Sequence, residues 1–454
     1  MFRRVLIANR GEIALRVLRA CRALGCEVVV VYSEADRDAR VVDLADEAVC
    51  IGPPAAGKSY LDINRVIAAA EISDADAIHP GYGFLSENAR FVDVVAACGF
   101  TFIGPPSDVI RAVGDKNTAK SLARAAGVPV VPGSPGLVAD ENAAAAVAEE
   151  VGYPLLVKAT AGGGGRGMRI VRSAAEMTAQ FQAASNEARA AFGNPDCYIE
   201  KLVEGPHHVE IQVIADTHGN LVHLGERECS VQRRHQKLLE ESPSPILAPD
   251  LRERMGRAAI ALCRQAGYVN AGTVEFLVDR NRDFYFMELN ARIQVEHPVT
   301  EMVTGIDLVR EQIRVAAGER LSFRQEDVVQ RGHSIECRIN AEDVAHNFRP
   351  SCGRITQLVV PGGMSVRFDS HVHAGYLISP YYDSMIGKLI VHAPSRPEAI
   401  LAMRNALSEL LVRGIETTTA FQREILADPR FAAGDYDTSF LATMEPARPA
   451  GARA

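Results

Sequence analysis

A chain of 454 residues offers two to four domain-lengths at roughly 100–200 residues each, and 47% hydrophobic content can supply a sizeable core. With 49 Lys+Arg against 57 Asp+Glu the formal charge is −8, which leaves no global basic field for nucleic acid or an anionic membrane surface. No run approaches the roughly 18 apolar residues of a membrane span, and only Val5–Ala8 is apolar before the polar Asn9-Arg10-Gly11-Glu12, so neither secretion nor membrane insertion is expected.

The N-terminal third alternates apolar runs with helical patterns: Val5–Ala8, a helix over about Ile13–Leu24, Glu27–Tyr32, then Ala77–His79 and Thr101–Ile103. Such βαβ spacing predicts a parallel sheet covered by helices, with the turn cluster His79-Pro80-Gly81-Tyr82-Gly83 at a strand end, where open α/β sheets bind ligands. Between these strands Gly52–Ser59 satisfies the G-x-x-x-x-G-K-[ST] pattern, but Pro53 and Pro54 lack the N–H groups a phosphate cradle needs. A tight loop entering a helix is the better reading.

A helix carrying Lys116 and Lys120 leads from about Val113 to a boundary at Gly127–Gly136. A second α/β unit follows, with strands Leu155–Lys158 and Met168–Arg172 around a run of glycines, then strands near Cys197–Val203 and His208–Ala215. The run fits G-x-G-x-x-G, yet a strand follows it rather than a helix, which makes it a side-chain-free hairpin tip able to lie over phosphates. Arg227–Pro245 reads as a charged, proline-punctuated stretch. Strands Thr273–Val278 and Phe284–Gln294, a helix after Pro298, a mostly β unit from about Gly332 and a helix Arg396–Leu411 complete the pattern, with 446–454 expected to be a disordered tail.

Only seven of the 49 basic residues are lysines, so a lysine inside a strand, such as Lys158, marks a place where a compact point charge is wanted. The nine cysteines form no C-x-x-C pair and read as free thiols in a reducing cytoplasm, without a structural zinc site.

From Glu288 to Glu296 polar and apolar residues alternate, placing Glu288, Asn290, Arg292, Gln294 and Glu296 on one strand face at steps of roughly 6.5–7 Å. A symmetric hairpin sets Glu275 opposite Glu288, and two facing carboxylates call for a cation, with Mg²⁺ held by Glu275, Glu288 and Asn290 as the reading of choice. Arg292 can offer its planar fork to a small anion, and Glu296 can serve as general base beside it. Strands Tyr198–Val203 and His208–Gln212 provide apolar side chains and amides for a flat base, with His208 near the sugar or phosphates.

Seven segments in this order, RRVLIANRGE (3–12), HPGYGFLSEN (79–88), KATAGGGGRGMR (158–169), QRRHQK (232–237), ELNARIQVEHPVT (288–300), HSIECRINAED (333–343) and YYDSMIGK (381–388), give a chain that over nearly its whole length resembles the biotin carboxylases, a branch of the ATP-grasp enzymes. The resemblance implies an α/β protein with a Rossmann-like N-terminal domain (1–114), an ATP-grasp core (115–330) with a mobile glycine-rich lid over about 131–203, and a β-rich C-terminal domain (331–445). It places ATP against Lys116, Lys158, Gly163, Gly164 and Gly165 at the phosphates, Glu200, Lys201 and Val203 at the adenine, and His208, Gln232 and His235 nearby. The family's Mg²⁺ or Mn²⁺ ligands match Glu275, Glu288 and Asn290. Its bicarbonate site matches Lys237, Arg292, Gln294 and the backbone of Val295, its base Glu296, and its biotin-facing residue Arg338. No lysine is flanked by methionines and the chain ends before a carrier domain would begin, so biotin is expected on a separate biotin carboxyl carrier protein, with carboxyltransferase subunits as further partners. A homodimer is expected, with Ala23 and Met364 in the regions of the family's dimer contact. The competing readings are an ATP-grasp ligase that passes an acyl phosphate to an amine, and a silent nucleotide-binding regulator.

Overall fold

The structure is a computed structural model and describes residues 1–159, 168–192 and 195–444. Strands β1 (Arg4–Ile7), β2 (Glu27–Ser33), β3 (Glu47–Gly52), β4 (Ala77–His79) and β5 (Thr101–Phe102) form a parallel sheet in the order β3-β2-β1-β4-β5. The uninterrupted run Val28–Val31 suits a strand covered on both faces: Val28 and Val30 enter one apolar cluster, Val29 and Val31 another. Strand order reverses at β1, so the turns after β1 and β4 open side by side, and the Asn9 side-chain amide donates to the carbonyls of Pro80 and Tyr82 at 2.7 and 2.8 Å. The P-loop-like segment is a 3₁₀ turn over Ala56–Lys58 ahead of the helix Ile63–Ile72, and the Pro54 carbonyl is taken by the Tyr382 hydroxyl at 2.6 Å. Its backbone serves packing, in line with the proline argument.

Strands β6 (Leu155–Ala159), β7 (Met168–Val171) and β8 (Cys197–Lys201) make a small antiparallel sheet, order β7-β6-β8, backed by helices Glu141–Val151 and Ala174–Phe192 over their own apolar core. Gly163, Gly164 and Gly165 lie outside the described residues.

The third sheet has eight antiparallel strands. β9 (His207–Ala215), β10 (Leu221–Arg233), β11 (Gln236–Ser242), β12 (Asn270–Val278), β13 (Phe284–Asn290) and β14 (His333–Asn340) join strands Met385–Ala393 and Val366–Ser370 in the order β13-β12-β9-β10-β11-β14, then Met385–Ala393 and Val366–Ser370. The β11–β14 pairing carries one continuous sheet across residue 330, where the sequence suggests a domain boundary. Helix Arg396–Glu409 covers its C-terminal end through Ala399, Ile400, Met403, Ala406 and Leu407. No helix among the described residues is long and apolar enough to cross a membrane.

Two expectations need correction. The alternating strand expected to run on to Gln294 ends at Asn290; residues 291–296 leave the sheet as turns, and Glu296 caps the helix His297–Thr304, started by Pro298. Ala291 and Ile293 are buried by the turn instead of by a pleat, and Gln294 and Glu296 are buried with them, so the alternation of residue type here is not a two-faced strand. The hairpin itself sets Glu275 opposite Glu288 as expected, but Phe276 pairs with Phe286, so Met287 is an extra, bulged residue. The bulge lets Phe286 face the apolar core while Glu288, two residues on, shares the face of Glu275. Second, the stretch 227–245 contains the hairpin β10–β11 in the middle of the sheet, turning through Arg234 and His235 at φ 50° and 66°.

Candidate active site

Cross-strand register builds an acidic row. Glu288 on β13 stands opposite Glu275 on β12, which in turn stands opposite Glu210 on β9. Lys237 on β11 reaches into this row, its Nζ donating to Glu210 at 2.6 Å, Glu275 at 3.1 Å and Glu296 at 2.6 Å. Beneath it the fully buried Arg227 donates to Glu210 at 2.5 Å and ties Gln212, Thr273 and Thr300 to the same point.

These contacts split the acidic pair. Burial disfavours charge on Glu275, yet the Lys237 and His208 charges hold its carboxyl well below the usual range. Burial and the Glu275 charge push Glu288 the other way. An opposed pair with one member reluctant to ionise is the chemistry of a divalent-cation seat, and Asn290 adjoins it, its side-chain amide donating to Glu275 at 3.0 Å. Glu288 and Asn290 border a cavity of about 320 Å³ also lined by Lys116 and Glu87. The donor set therefore fits Mg²⁺ or Mn²⁺. Ligand atoms of His208, Glu210 and Glu275 also lie within 4.8 Å of one another.

Arg292, although off the strand, is brought to the site by the turn. Its guanidinium donates to Glu87 at 3.0 Å, Gln294 at 2.9 Å and Asn290 at 3.1 Å, and Gln294 bonds onward to Glu275 at 2.9 Å. The Val295 carbonyl accepts from Lys388 at 2.7 Å. Glu296 is fully buried between Lys237 and Arg338, the latter at 3.0 Å; burial opposes its ionisation, but the Lys237, Arg338 and Arg227 charges hold it well below the ordinary carboxylate value. Arg338 on β14 also grips Glu240 at 2.6 Å. Thus Lys237, Arg292, Gln294, Val295, Glu296 and Arg338 converge although their strands and turns lie far apart in sequence.

The residues expected at the nucleotide are arranged less uniformly. Lys158 on β6 and Lys120 both pair with Glu200 on β8, so this carboxylate is held between two ammonium groups. Lys201 donates to the carbonyls of Gly152 and Tyr153 at 3.0 and 2.8 Å, and Val203 follows β8 half-buried. His208 is bonded to Glu275 at 2.8 Å and so belongs to the acidic row; Gln232 stands opposite Lys237, and His235 is exposed in the hairpin turn. Sequence reasoning missed Glu12, Glu87, Lys120, Glu210, Arg227, Glu240 and Lys388 as members of this network. Glu210 shares the alternation of His208 and Gln212, and Lys388 is one of the rare lysines inside a strand, so each carried a usable signal.

Lysines on a small antiparallel sheet, opposed carboxylates on a large one and a buried glutamate clamped by cations define a nucleotide-dependent ligase of the ATP-grasp class. The family model described as "Biotin carboxylase, N-terminal domain" matches residues 1–110, "Carbamoyl-phosphate synthase L chain, ATP binding domain" matches 115–324 and "Biotin carboxylase C-terminal domain" matches 336–443. The biotin carboxylase of Nostoc sp. is 58% identical over 443 residues, 98% of this chain and 99% of the relative. Among solved structures, the biotin carboxylase from Campylobacter jejuni, in a β,γ-ATP complex, superposes with a TM-score of 0.93 at 50% identity, covering 98% and 99% of the two chains. The biotin carboxylase domain dimer of Hydrogenobacter thermophilus 2-oxoglutarate carboxylase, with MgADP, ADP and bicarbonate, gives 0.91 at 49% identity and 97% of each chain. The chain belongs to the biotin carboxylase family and is an ATP-dependent ligase. The amine-ligase and silent-regulator readings are not favoured, since the flanking matches and the near-complete relatives are biotin carboxylases.

Proposed function

We propose that the chain carboxylates biotin presented by a biotin carboxyl carrier protein, using ATP and bicarbonate, as the first half-reaction of a cytoplasmic acetyl-CoA carboxylase feeding fatty acid synthesis through carboxyltransferase subunits. The observation that carries the biotin step is the buried Glu296 clamped by Lys237 on one side and Arg338 on the other. Bicarbonate that takes over bonds of Lys237 and Arg292, with the Val295 backbone at its edge, leaves Glu296 with fewer cationic partners and so raises its basicity. Glu296 then accepts the bicarbonate proton, and the carbonate oxygen attacks the γ-phosphorus, forming carboxyphosphate and releasing ADP. Loss of CO₂ leaves phosphate, which takes the ureido N–H proton; Arg338 stabilises the resulting oxyanion while the nitrogen attacks CO₂.

Mg²⁺ or Mn²⁺ held by Glu275, Glu288 and Asn290 would supply positive charge to the phosphate oxygens. Lys116, Lys158 and Gly163–Gly165 are proposed at those phosphates, Glu200, Lys201 and Val203 at the adenine, with His208, Gln232 and His235 around the nucleotide, and the segment 131–203 is proposed to close over it within the three-part division 1–114, 115–330 and 331–445. A homodimer is proposed for the working enzyme.

The test is ATP turnover with and without bicarbonate and free biotin, for the parent and Arg338→Ala. The parent should hydrolyse ATP only with bicarbonate and faster with biotin, and Arg338→Ala should lose the biotin acceleration by about 10²-fold. No acceleration by biotin in the parent would return the assignment to the amine ligases. Transfer onto acetyl-CoA, propionyl-CoA, pyruvate and 2-oxoglutarate in a reconstituted extract distinguishes the acceptor, and turnover on an acid but not on acetyl-CoA would refute the acetyl-CoA assignment.

A further inference from the structure

A further opposed acid pair lies in the same sheet, beside Arg338. The β11–β14 register sets Glu240 directly across from Glu336, a spacing of about 4.5–5.5 Å between Cβ atoms, and both side chains are fully buried. Glu240 Oε1 accepts from Arg338 Nε at 2.6 Å. Glu240 Oε2 and both Glu336 oxygens have no donor. The nearby cations are engaged elsewhere: Arg338 is shared between Glu240 and Glu296, Lys388 holds the Val295 carbonyl at 2.7 Å and Glu12 at 3.2 Å, and Lys237 serves Glu210, Glu275 and Glu296. Neither Glu240 nor Glu336 belongs to a cluster of metal-ligand atoms among the described residues.

Two ionised carboxylates in this position would leave three buried acceptors unsatisfied and like charges facing each other, whereas a single proton between them engages two of the three oxygens and removes one charge. We propose that Glu240 and Glu336 share one proton, Glu336 donating to Glu240, and that the pair is the positioning element that holds Arg338 for the ureido oxygen. This rests on the reading of Arg338 as the biotin-facing residue. Arg338 spends Nε and Nη2 on Glu240 and Glu296, leaving Nη1 for a ligand. A singly charged pair anchors the guanidinium; a doubly charged one would draw it back from the cleft.

The groups facing the pair agree. Burial raises Glu240 to about 7, with Arg338 and Lys237 pulling it down and Glu296 pushing it up. Glu336 is pushed well above the ordinary carboxylate value by burial and by Glu240 and Glu296, against Lys388 and Arg338. Cys229, Cys337 and Tyr82, which also feel these charges, are themselves pushed up and stay neutral at pH 7.

The test uses the full chain. Infrared difference spectra between the parent and Glu336→Gln at neutral pH should show the carbonyl band of a protonated carboxyl in the parent only; absence of that band overturns the proposal. In the parent the KM for biotin should rise at alkaline pH as the pair loses its shared proton. Glu336→Gln, which keeps a donor toward Glu240, should hold that KM within about twofold at neutral pH and abolish the rise, whereas Glu240→Gln, which removes the charge gripping Arg338, should raise it about tenfold or more with little change in the KM for ATP. A biotin KM equally damaged in both variants, or unaffected in Glu240→Gln, overturns it. If the parent shows no biotin-dependent turnover, the carboxylase reading fails on its own and the infrared comparison still decides the shared proton.

Discussion

Glu296 concentrates the chemistry of the site because its carboxylate is the only one gripped by both Lys237 and Arg338 among the described ion pairs. Glu296→Gln removes the base yet leaves Lys237 with Glu210 and Glu275, so folding should survive. We expect bicarbonate-dependent ATP turnover to fall by about 10²–10⁴-fold with the KM for ATP little changed, measured by steady-state kinetics. Its depressed folded-state value also means that the stabilisation it contributes is in place above the unfolded value and lost as pH falls through the folded one. Glu288 presents the opposite case, a carboxylate pushed up by burial and by Glu275, whose charge becomes favourable when a divalent cation arrives. Mg²⁺ or Mn²⁺ should therefore raise the melting temperature of the parent, by about 2.7 kcal/mol of stabilisation at 100 times Kd, and Glu288→Gln should lose most of that gain. Equal metal responses in parent and variant would remove Glu288 from the cation seat.

At the scale of elements, the hairpin β10–β11 carries both faces of the problem. On the side away from Glu240, Glu241 is fully buried and accepts from His333 at 2.6 Å, from Arg396 at 2.7 and 3.0 Å and from the Tyr436 hydroxyl, pinning β14, the helix Arg396–Glu409 and the C-terminal segment to β11. Burial works against its charge, but the His333 bond and the Arg396 charge bring Glu241 from 4.5 down to about 2. A lowered acid stabilises fully above its unfolded value and loses that contribution as pH falls toward the folded one, so Glu241→Gln should cost about 3 kcal/mol at pH 7. In urea unfolding the gap between variant and parent should close between pH 4.5 and 2; a gap independent of pH would assign the loss to packing. The same hairpin shows where sequence patterns fail. β2 and β12 were legible because their apolar residues follow the strand period or fill it completely. Glu226, Arg227, Glu228, Glu240 and Glu241 look like a solvated charge run, yet each is almost wholly buried, because Arg252, Glu210, Arg338 and Arg396 from other elements pair with four of them and the Ser230 and Ser244 hydroxyls donate to Glu228. The strand expected through Gln294 failed for the converse reason: alternation of residue type does not by itself make a ladder, and here a turn buries Ala291 and Ile293 together with the polar Gln294 and Glu296.

At the scale of the molecule the site exists only where three stretches of chain meet, so its members were readable one at a time while their partners were not. Arg292, Glu296 and Arg338 could be picked out by residue type and motif, but Glu87 and Glu12 enter from the N-terminal α/β unit, over 200 residues away, and although both lie in the motif segments 79–88 and 3–12, nothing local says which distant residue each will meet. Lys388 is the clearest junction. It is fully buried on the strand Met385–Ala393, stands beside Arg338 in register, holds the Val295 carbonyl at 2.7 Å and meets Glu12 at 3.2 Å, whose carboxylate also takes the Tyr82 hydroxyl. Lys388→Met would leave the Glu12 charge buried without its cation and release the turn that carries Val295. We expect a loss of about 3–5 kcal/mol in chemical denaturation, the cost of an uncompensated buried charge. Lys388→Met should also raise the KM for bicarbonate by freeing the Val295 carbonyl. The double variant Lys388→Met/Glu12→Gln should recover part of the stability loss, because the stranded charge is gone, but keep the raised KM, because that carbonyl still lacks its anchor. Recovery of both stability and bicarbonate KM in the double variant would instead place the ammonium's role in neutralising Glu12 alone, and would separate the joining of the N-terminal sheet from the shaping of the anion site.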